Sequence, residues 1–269
     1  MRGLKSLFLM VMAAPGWASG LPEDLLLQMS QADVVILGEI HDNPGHHQNQ
    51  HDVLKALQPK AVVWEMLTRE EAGQITSEMI RAPERLEAAL DWAHSGWPAF
   101  SMYHQVFVAA PDARIFGGEV PRKAALSTIQ SGPAAVFGAD AERYGLTRSL
   151  PEAEEQARQA LQFEAHCEAV PMDRMQAMVD IQRLRDAVLA SEVIAAIAET
   201  GGPVAVITGN GHARRDWGIP VYLNRVQPGL TVFALGQSEG GAIAGDFDAV
   251  LNSDAPARED PCNAFKIER

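Results

Sequence analysis

Short, continuous apolar runs separated by longer amphipathic stretches set the pattern of this chain. Asp33–Leu37 (DVVIL), Ala61–Trp64 (AVVW), Ala113–Phe116 (ARIF), Val204–Thr208 (VAVIT) and Leu230–Ala234 (LTVFA) read as strands, and most of them are apolar throughout rather than alternating. Strands of that kind are buried on both faces, which predicts an α/β fold with a mainly parallel central sheet flanked by helices. A long helical stretch lies between the third and fourth strands. Pro151-Glu152 opens one helix running to about Cys167, and Met172–Thr200 reads as another, closed by Gly201-Gly202-Pro203. No repeat is present and no linker rich in Pro, Gly or Ser divides the chain. The reading is a single α/β domain over residues 21–269 with a helical insertion at about 70–200.

Residues 1–20 are set apart from that domain. Arg2 and Lys5 precede the apolar run Leu7–Ala14, and Pro15, Gly16 and the small residues Ala18, Ser19 and Gly20 follow. This is the pattern of a cleaved secretory signal peptide, and the run is well short of the ~20 residues that cross a bilayer. Export to the periplasm, or beyond it, is therefore expected. No cysteine lies in or just after the segment to accept a lipid. The two cysteines, Cys167 and Cys262, would meet an oxidising compartment there and are expected to pair.

Charge changes the picture by exclusion. With 22 basic and 35 acidic residues the formal charge is −13, and loss of Arg2 and Lys5 with the signal makes the mature chain more acidic still. Neither the balance nor any local run supplies the concentrated positive charge that a nucleic-acid partner requires. At 47% hydrophobic and 21% charged residues, the composition is that of an ordinary globular protein.

Two polar clusters follow apolar strands directly, where parallel sheets place their binding crevices. The first is Gly38-Glu39-Ile40-His41-Asp42-Asn43-Pro44-Gly45-His46-His47, with His51 beyond it, and the second is Gly209-Asn210-Gly211-His212-Ala213-Arg214-Arg215-Asp216. Glu65, just after the second strand, is a third candidate. His47 and His51 stand at i and i+4 on a helix expected to begin near Pro44, so they share a face. Taken singly, His46, His47 and His51 read as solvated helix residues, because HExxH is absent. Glu39 and His41 read differently: a carboxylate at the end of an apolar strand must find partners, which marks a functional site.

Gly38-Glu39-x-His41-Asp42-Asn43, His46-His47 and Gly209-Asn210-Gly211-His212 together resemble the ChaN-type haem-binding proteins of the Tiki, TraB and erythromycin-esterase superfamily. Trp64-Glu65-Met66, Gly96-Trp97-Pro98, Ser101-Met102-Tyr103, His166-Cys167 and Gln182-Arg183-Leu184-Arg185-Asp186-Ala187 also resemble its motifs, so the likeness spans roughly Asp33 to Tyr222. The resemblance implies an exported protein that binds haem for haem or iron uptake. It further implies a tyrosine iron ligand, a homodimer in which two haems lie face to face, and an outer-membrane haem receptor as partner. Tyr103 best matches the family's aromatic motif, and a phenolate is a sound ferric donor. His104 stands where the resemblance implies an arginine, which makes it the alternative ligand or a propionate partner. Trp92, Trp97, Pro98, Phe100, Met102 and Phe107 offer an apolar wall, with Met172, Met175 and Met178 as further contacts, and Arg214 or Arg215 could meet a propionate. No CxxCH occurs, so the haem would be b-type and held reversibly.

The same superfamily contains hydrolases that use the strand-end Glu and His residues. The alternative reading is therefore a metal-assisted hydrolase, with Glu39, His41, Glu65 and His212 around a divalent ion and Glu39, His41 and His212 as its catalytic groups.

Overall fold

The computed structural model describes residues 20–260 and 262–263; the segment read as a signal peptide lies, but for Gly20, outside them. Six strands form one all-parallel sheet: β1 (Val34–Glu39), β2 (Ala61–Trp64), β3 (Arg114–Gly117), β4 (Val204–Gly209), β5 (Val232–Ser238) and β6 (Ala249–Asn252), in the order β3-β2-β4-β1-β5-β6. The parallel α/β architecture expected from the continuous apolar runs is thus present. Side chains alternate across each strand, so one run feeds two cores. Val35, Leu37, Val62, Trp64, Ile207 and Leu235 pack on one face against the helices Glu23–Ser30, Pro44–Leu57 and Phe100–Ala109. Val34, Ile36, Val63, Val204 and Val206 pack on the other against Met175–Thr200 and Ile219–Val226.

Strand boundaries differ from the sequence reading where polar residues continue a strand. β1 runs on through Gly38 and Glu39, and β5 through Gln237 and Ser238, all buried. The amide of Asn210, at the end of β4, donates to the Gln237 carbonyl at 2.7 Å and accepts from its N–H at 2.9 Å. To do so it crosses over Gly38, where a Cβ would come within 2.5 Å of Asn210 Oδ1 and 2.9 Å of the Leu235 carbonyl. Glycine at 38 is therefore what lets β4, β1 and β5 be tied together at their C-terminal ends. β6 was not foreseen. It is a four-residue edge strand whose side chains alternate between half-buried and exposed, too short to stand out as an apolar run.

The helical stretch expected over about 70–200 is divided by β3 into two crossovers. Short helices between Arg69 and Ser95, then Phe100–Ala109, link β2 to β3; Arg122–Phe137, Glu152–Ala165 and Met175–Thr200 link β3 to β4. The last two match the helices read from sequence, with Met172–Arg174 forming a 3-10 turn ahead of the second. Cys167 and Cys262 form the expected disulfide, with Cα atoms 5.5 Å apart. It joins the bend between those two helices to a C-terminal tail that has first crossed the loop after β1. There Arg258 meets Asp42 and Glu239, and Asn43 Nδ2 donates to the Asp254 carbonyl at 3.1 Å. Among the described residues no helix is long and apolar enough to cross a membrane.

A bridge spanning 95 residues removes much loop entropy from the unfolded chain. Cys167→Ser with Cys262→Ser is expected to lower the unfolding free energy by about 2–4 kcal/mol, seen as a lower urea midpoint. Reduced wild-type protein should unfold at the same lowered midpoint, and equal midpoints for oxidised wild type and variant would refute the bridge.

Candidate functional site at the strand ends

β1 and β4 run in register, with Glu39 opposite Gly209, and Glu65 continues β2 alongside by donating its N–H to the Ile207 carbonyl at 3.1 Å. The C-terminal ends of these three strands make one polar edge. The loop after β1 is set by local chemistry: Asn43 caps the Pro44–Leu57 helix by accepting from the N–H groups of Gly45 and His46, and Pro44 occupies the first turn, where no N–H is needed.

Glu39 is 2% exposed and would be costly to leave unpartnered. Its Oε1 accepts from Tyr103 Oη at 2.8 Å and from His41 Nδ1 at 2.7 Å, and its Oε2 accepts from Gln50 Nε2 at 2.7 Å. His47 Nδ1 stands 3.5 Å from Oε2. The His41 side chain keeps 35% exposure and packs edge-on against Trp97, with ring centroids 4.9 Å apart. Burial opposes a charge on His41, but the bond to Glu39 and the charge of Glu65 outweigh it and raise its pKa above the ordinary imidazole value.

The second cluster is more deeply buried. Glu65 Oε2 accepts from Thr208 Oγ1 and from the Gly209 N–H, each at 2.7 Å, while its Oε1 lies 3.4 Å from His212 Nε2. His212 Nδ1 reaches Asp186 Oδ1 at 2.5 Å, with Gln182 Nε2 alongside at 3.0 Å. Burial alone would raise Glu65, but His212, His41 and the Gly209 amide hold its carboxyl far below the usual range. Burial would lower His212, yet Glu65 and Asp186 raise it to about 10. Asp186 is itself raised, since burial exceeds what His212 returns and its Oδ2 has no partner. The positive charge on His212 is thus faced by two carboxylates, Glu65 and Asp186.

The four residues proposed around a divalent ion thus form two pairs, Glu39 with His41 and Glu65 with His212. Among the described residues no group of three or more His, Cys, Asp or Glu side chains is arranged to hold a metal ion. This geometry does not favour the metal-assisted alternative.

Tyr103 and His104 both lie on the Phe100–Ala109 helix. Tyr103 is fully buried, its hydroxyl donated to Glu39 and its ring edge-on to His47 at 4.4 Å. Burial, then the Glu39 charge, push the phenol well above its ordinary value. His104 Nε2 is bonded to the Ile80 carbonyl at 2.8 Å. The expected apolar wall divides: Trp92, Phe100 and Phe107 are core, with Phe107 stacked on Trp64 at 3.9 Å, while Trp97, Pro98 and Met102 stay partly open. Met175 is buried and Met172 is 46% exposed, so the methionines do not form one surface. Arg214 is 5% exposed, chelated by Asp216 at 2.7 and 2.5 Å and stacked 3.6 Å above Trp217. With Arg158, Leu161 and Gln182 they line a cleft of about 340 Å³.

The reading of His46 and His47 as solvated is corrected. Both are fully buried: His46 Nδ1 accepts from the Ile40 N–H at 2.9 Å, and His47 Nε2 donates to the His41 carbonyl at 2.8 Å, so they pin the loop that carries His41. Only His51 is partly open, beside Asp52. Gln50, Asp186 and Thr208 belong to the site yet were not singled out as site residues. The visible signal for Asp186 was Gln182 four positions earlier, which places the two polar groups on one face of the helix.

Because the pKa of His212 is raised on folding, its charged form stabilises the protein fully below about pH 6.5, and that stabilisation fades as pH climbs toward 10. The urea midpoint of wild type is expected to fall across that window more than that of His212→Gln, which should itself cost about 3 kcal/mol near neutral pH. Parallel midpoint curves for the two proteins would refute the charged assignment.

The family model described as haem-binding uptake, Tiki superfamily, ChaN matches residues 25–223. Among solved structures, the one described as cofacial haem binding to ChaN of Campylobacter jejuni is similar in fold, with a TM-score of 0.67 at 21% identity over 85% of this chain and 90% of that one. A protein from Bacillus cereus gives a TM-score of 0.48 at 13% identity over 80% of this chain and 68% of its own, and the type III effector HopBA1 gives 0.47 at 9% over 86% and 92%. No curated protein sequence matches. The family match runs from the first helix beneath the sheet to the Ile219–Val226 helix and takes in both strand-end clusters, and on it the chain belongs to the ChaN haem-binding uptake family of the Tiki superfamily.

Proposed function

We propose that this protein is an exported carrier that binds b-type haem reversibly, through one axial side chain and an apolar wall, in haem or iron uptake. Family membership over residues 25–223 is the observation that carries this reading. The residues present fit the group in two respects. The strand-end edge offers a half-exposed imidazole backed by a buried carboxylate, and Trp97 beside it supplies a flat apolar surface. The absence of CxxCH supports non-covalent binding.

Charge constrains how the propionates are met. A chain of net charge −13 has no general positive field, so attraction rests on placed groups. Arg214 is already chelated by Asp216, so it would serve a propionate only by sharing or exchanging that partner. Of the donors implied by the resemblance, Tyr103 gives its hydroxyl to Glu39 and His104 bonds the Ile80 carbonyl through Nε2, so ligation through Tyr103 calls for its hydroxyl to leave Glu39, whereas His104 keeps Nδ1 for the purpose. A homodimer that covers the haem, and an outer-membrane receptor that supplies it, complete the proposal.

Haem bound to the protein would contribute iron coordination and a broad apolar surface. The chain's own part is to present the donor, cover the ring and exclude water. Hemin titrated into the purified protein is expected to give a saturable Soret band, with acid-acetone extraction removing all of the pigment. Sedimentation velocity should show hemin driving monomer to dimer. No saturable spectral change would overturn the carrier reading, and a monomer at saturation would overturn the dimer alone.

A further inference from the structure

The cleft beside Trp217 holds charged groups that the Glu39–His41 pair does not use. Arg158 and Arg214 are 6% and 5% exposed, and each gives Nε and Nη2 to one carboxylate, that of Glu154 and of Asp216 respectively. Both guanidinium groups lie against the Trp217 ring, at 5.0 and 3.6 Å from its centroid, which brings them together in the wall of the cleft. Among the described residues nothing accepts a hydrogen bond from Nη1 of either. Two guanidinium groups that each keep one amino group free are natural donors to a further carboxylate.

Asp186, also in that wall, has the converse need. Its Oδ1 meets His212, whereas Oδ2 has no partner although the side chain is buried. Charge points the same way: Arg158, Arg214 and His212 are set against Glu154, Asp216, Glu65 and Asp186, which leaves one carboxylate without a counter-charge. An ammonium group would supply both a hydrogen-bond donor and that charge. The rest of the wall is apolar, from Leu161, Ala165, Val179, Ile243 and Ala244. At about 340 Å³ the cleft is at the small end of ligand cavities and suits a molecule much smaller than a tetrapyrrole.

We propose that this cleft binds a small aliphatic α-amino acid, with its carboxylate received by Nη1 of Arg158 and Arg214, its ammonium set toward Asp186 and its side chain on the Leu161, Val179 and Ile243 wall. A zwitterion meets both unfilled needs at once, where a plain carboxylate would leave Asp186 unpartnered and a plain amine would leave the guanidinium groups so. No bond is made or broken. Haem is not needed for this site, so a failed hemin titration leaves it standing.

Isothermal titration calorimetry of the purified protein with L-leucine tests this. Wild type should bind L-leucine saturably, one molecule per chain. Isocaproate, which lacks the ammonium, and isoamylamine, which lacks the carboxylate, should each bind at least tenfold more weakly. Arg158→Met should weaken L-leucine at least tenfold, Ala165→Trp should abolish binding by filling the cleft from its exposed rim, and the exposed Lys55→Ala on the Pro44–Leu57 helix should leave it unchanged. No saturable heat with L-leucine, or equal affinity for isocaproate or isoamylamine, overturns the proposal. Should Arg158→Met fail to fold, undiminished binding in Ala165→Trp overturns it instead.

Discussion

A carboxylate buried at the end of a central strand has to be surrounded by donors, and much of this architecture follows from meeting that need for Glu39. Tyr103 reaches it from the Phe100–Ala109 helix, Gln50 from the Pro44–Leu57 helix and His41 from the loop between strand and helix. The helices that cover one face of the sheet are thus joined through a single polar group as well as through their apolar contacts. Removing one donor would leave an unpaired oxygen in a dry place, at a cost of about 1–3 kcal/mol.

Glu65 meets the same constraint differently. Its partners come from β4 and from His212, and His212 is in turn held by Asp186 on the long Met175–Thr200 helix. The two faces of the sheet therefore each send one polar relay to the same edge. One relay ends in a half-exposed imidazole, and the other is sealed.

Acidity fits the same economy of cations. The arginines near the site are already matched with carboxylates: Arg214 with Asp216, Arg158 with Glu154, and Arg258 with Asp42 and Glu239. Arg258 draws the C-terminal tail over the loop after β1 before the disulfide secures it beside the helix pair. Fixed local pairs, rather than a positive surface, shape this edge of the protein.

The sequence by itself determined the sheet, because DVVIL, AVVW and VAVIT are apolar without alternation and only strands covered on both faces bury such runs. It also marked Glu39, His41, Glu65 and His212 as strand-end polar groups, through the cost of placing charge beside an apolar run. It could not say that these four divide into two pairs, or that His46 and His47 are buried pins, since those facts depend on contacts between residues far apart in the chain. Gln50 and Asp186 are ordinary polar residues on helices until packing turns them toward Glu39 and His212. Tyr103 carries the same chemical signal as an iron ligand or as a hydrogen-bond donor to a carboxylate. Only the tertiary structure buries its hydroxyl against Glu39 and leaves the His41 side chain partly exposed, because both depend on how the Phe100–Ala109 helix packs over the strand ends.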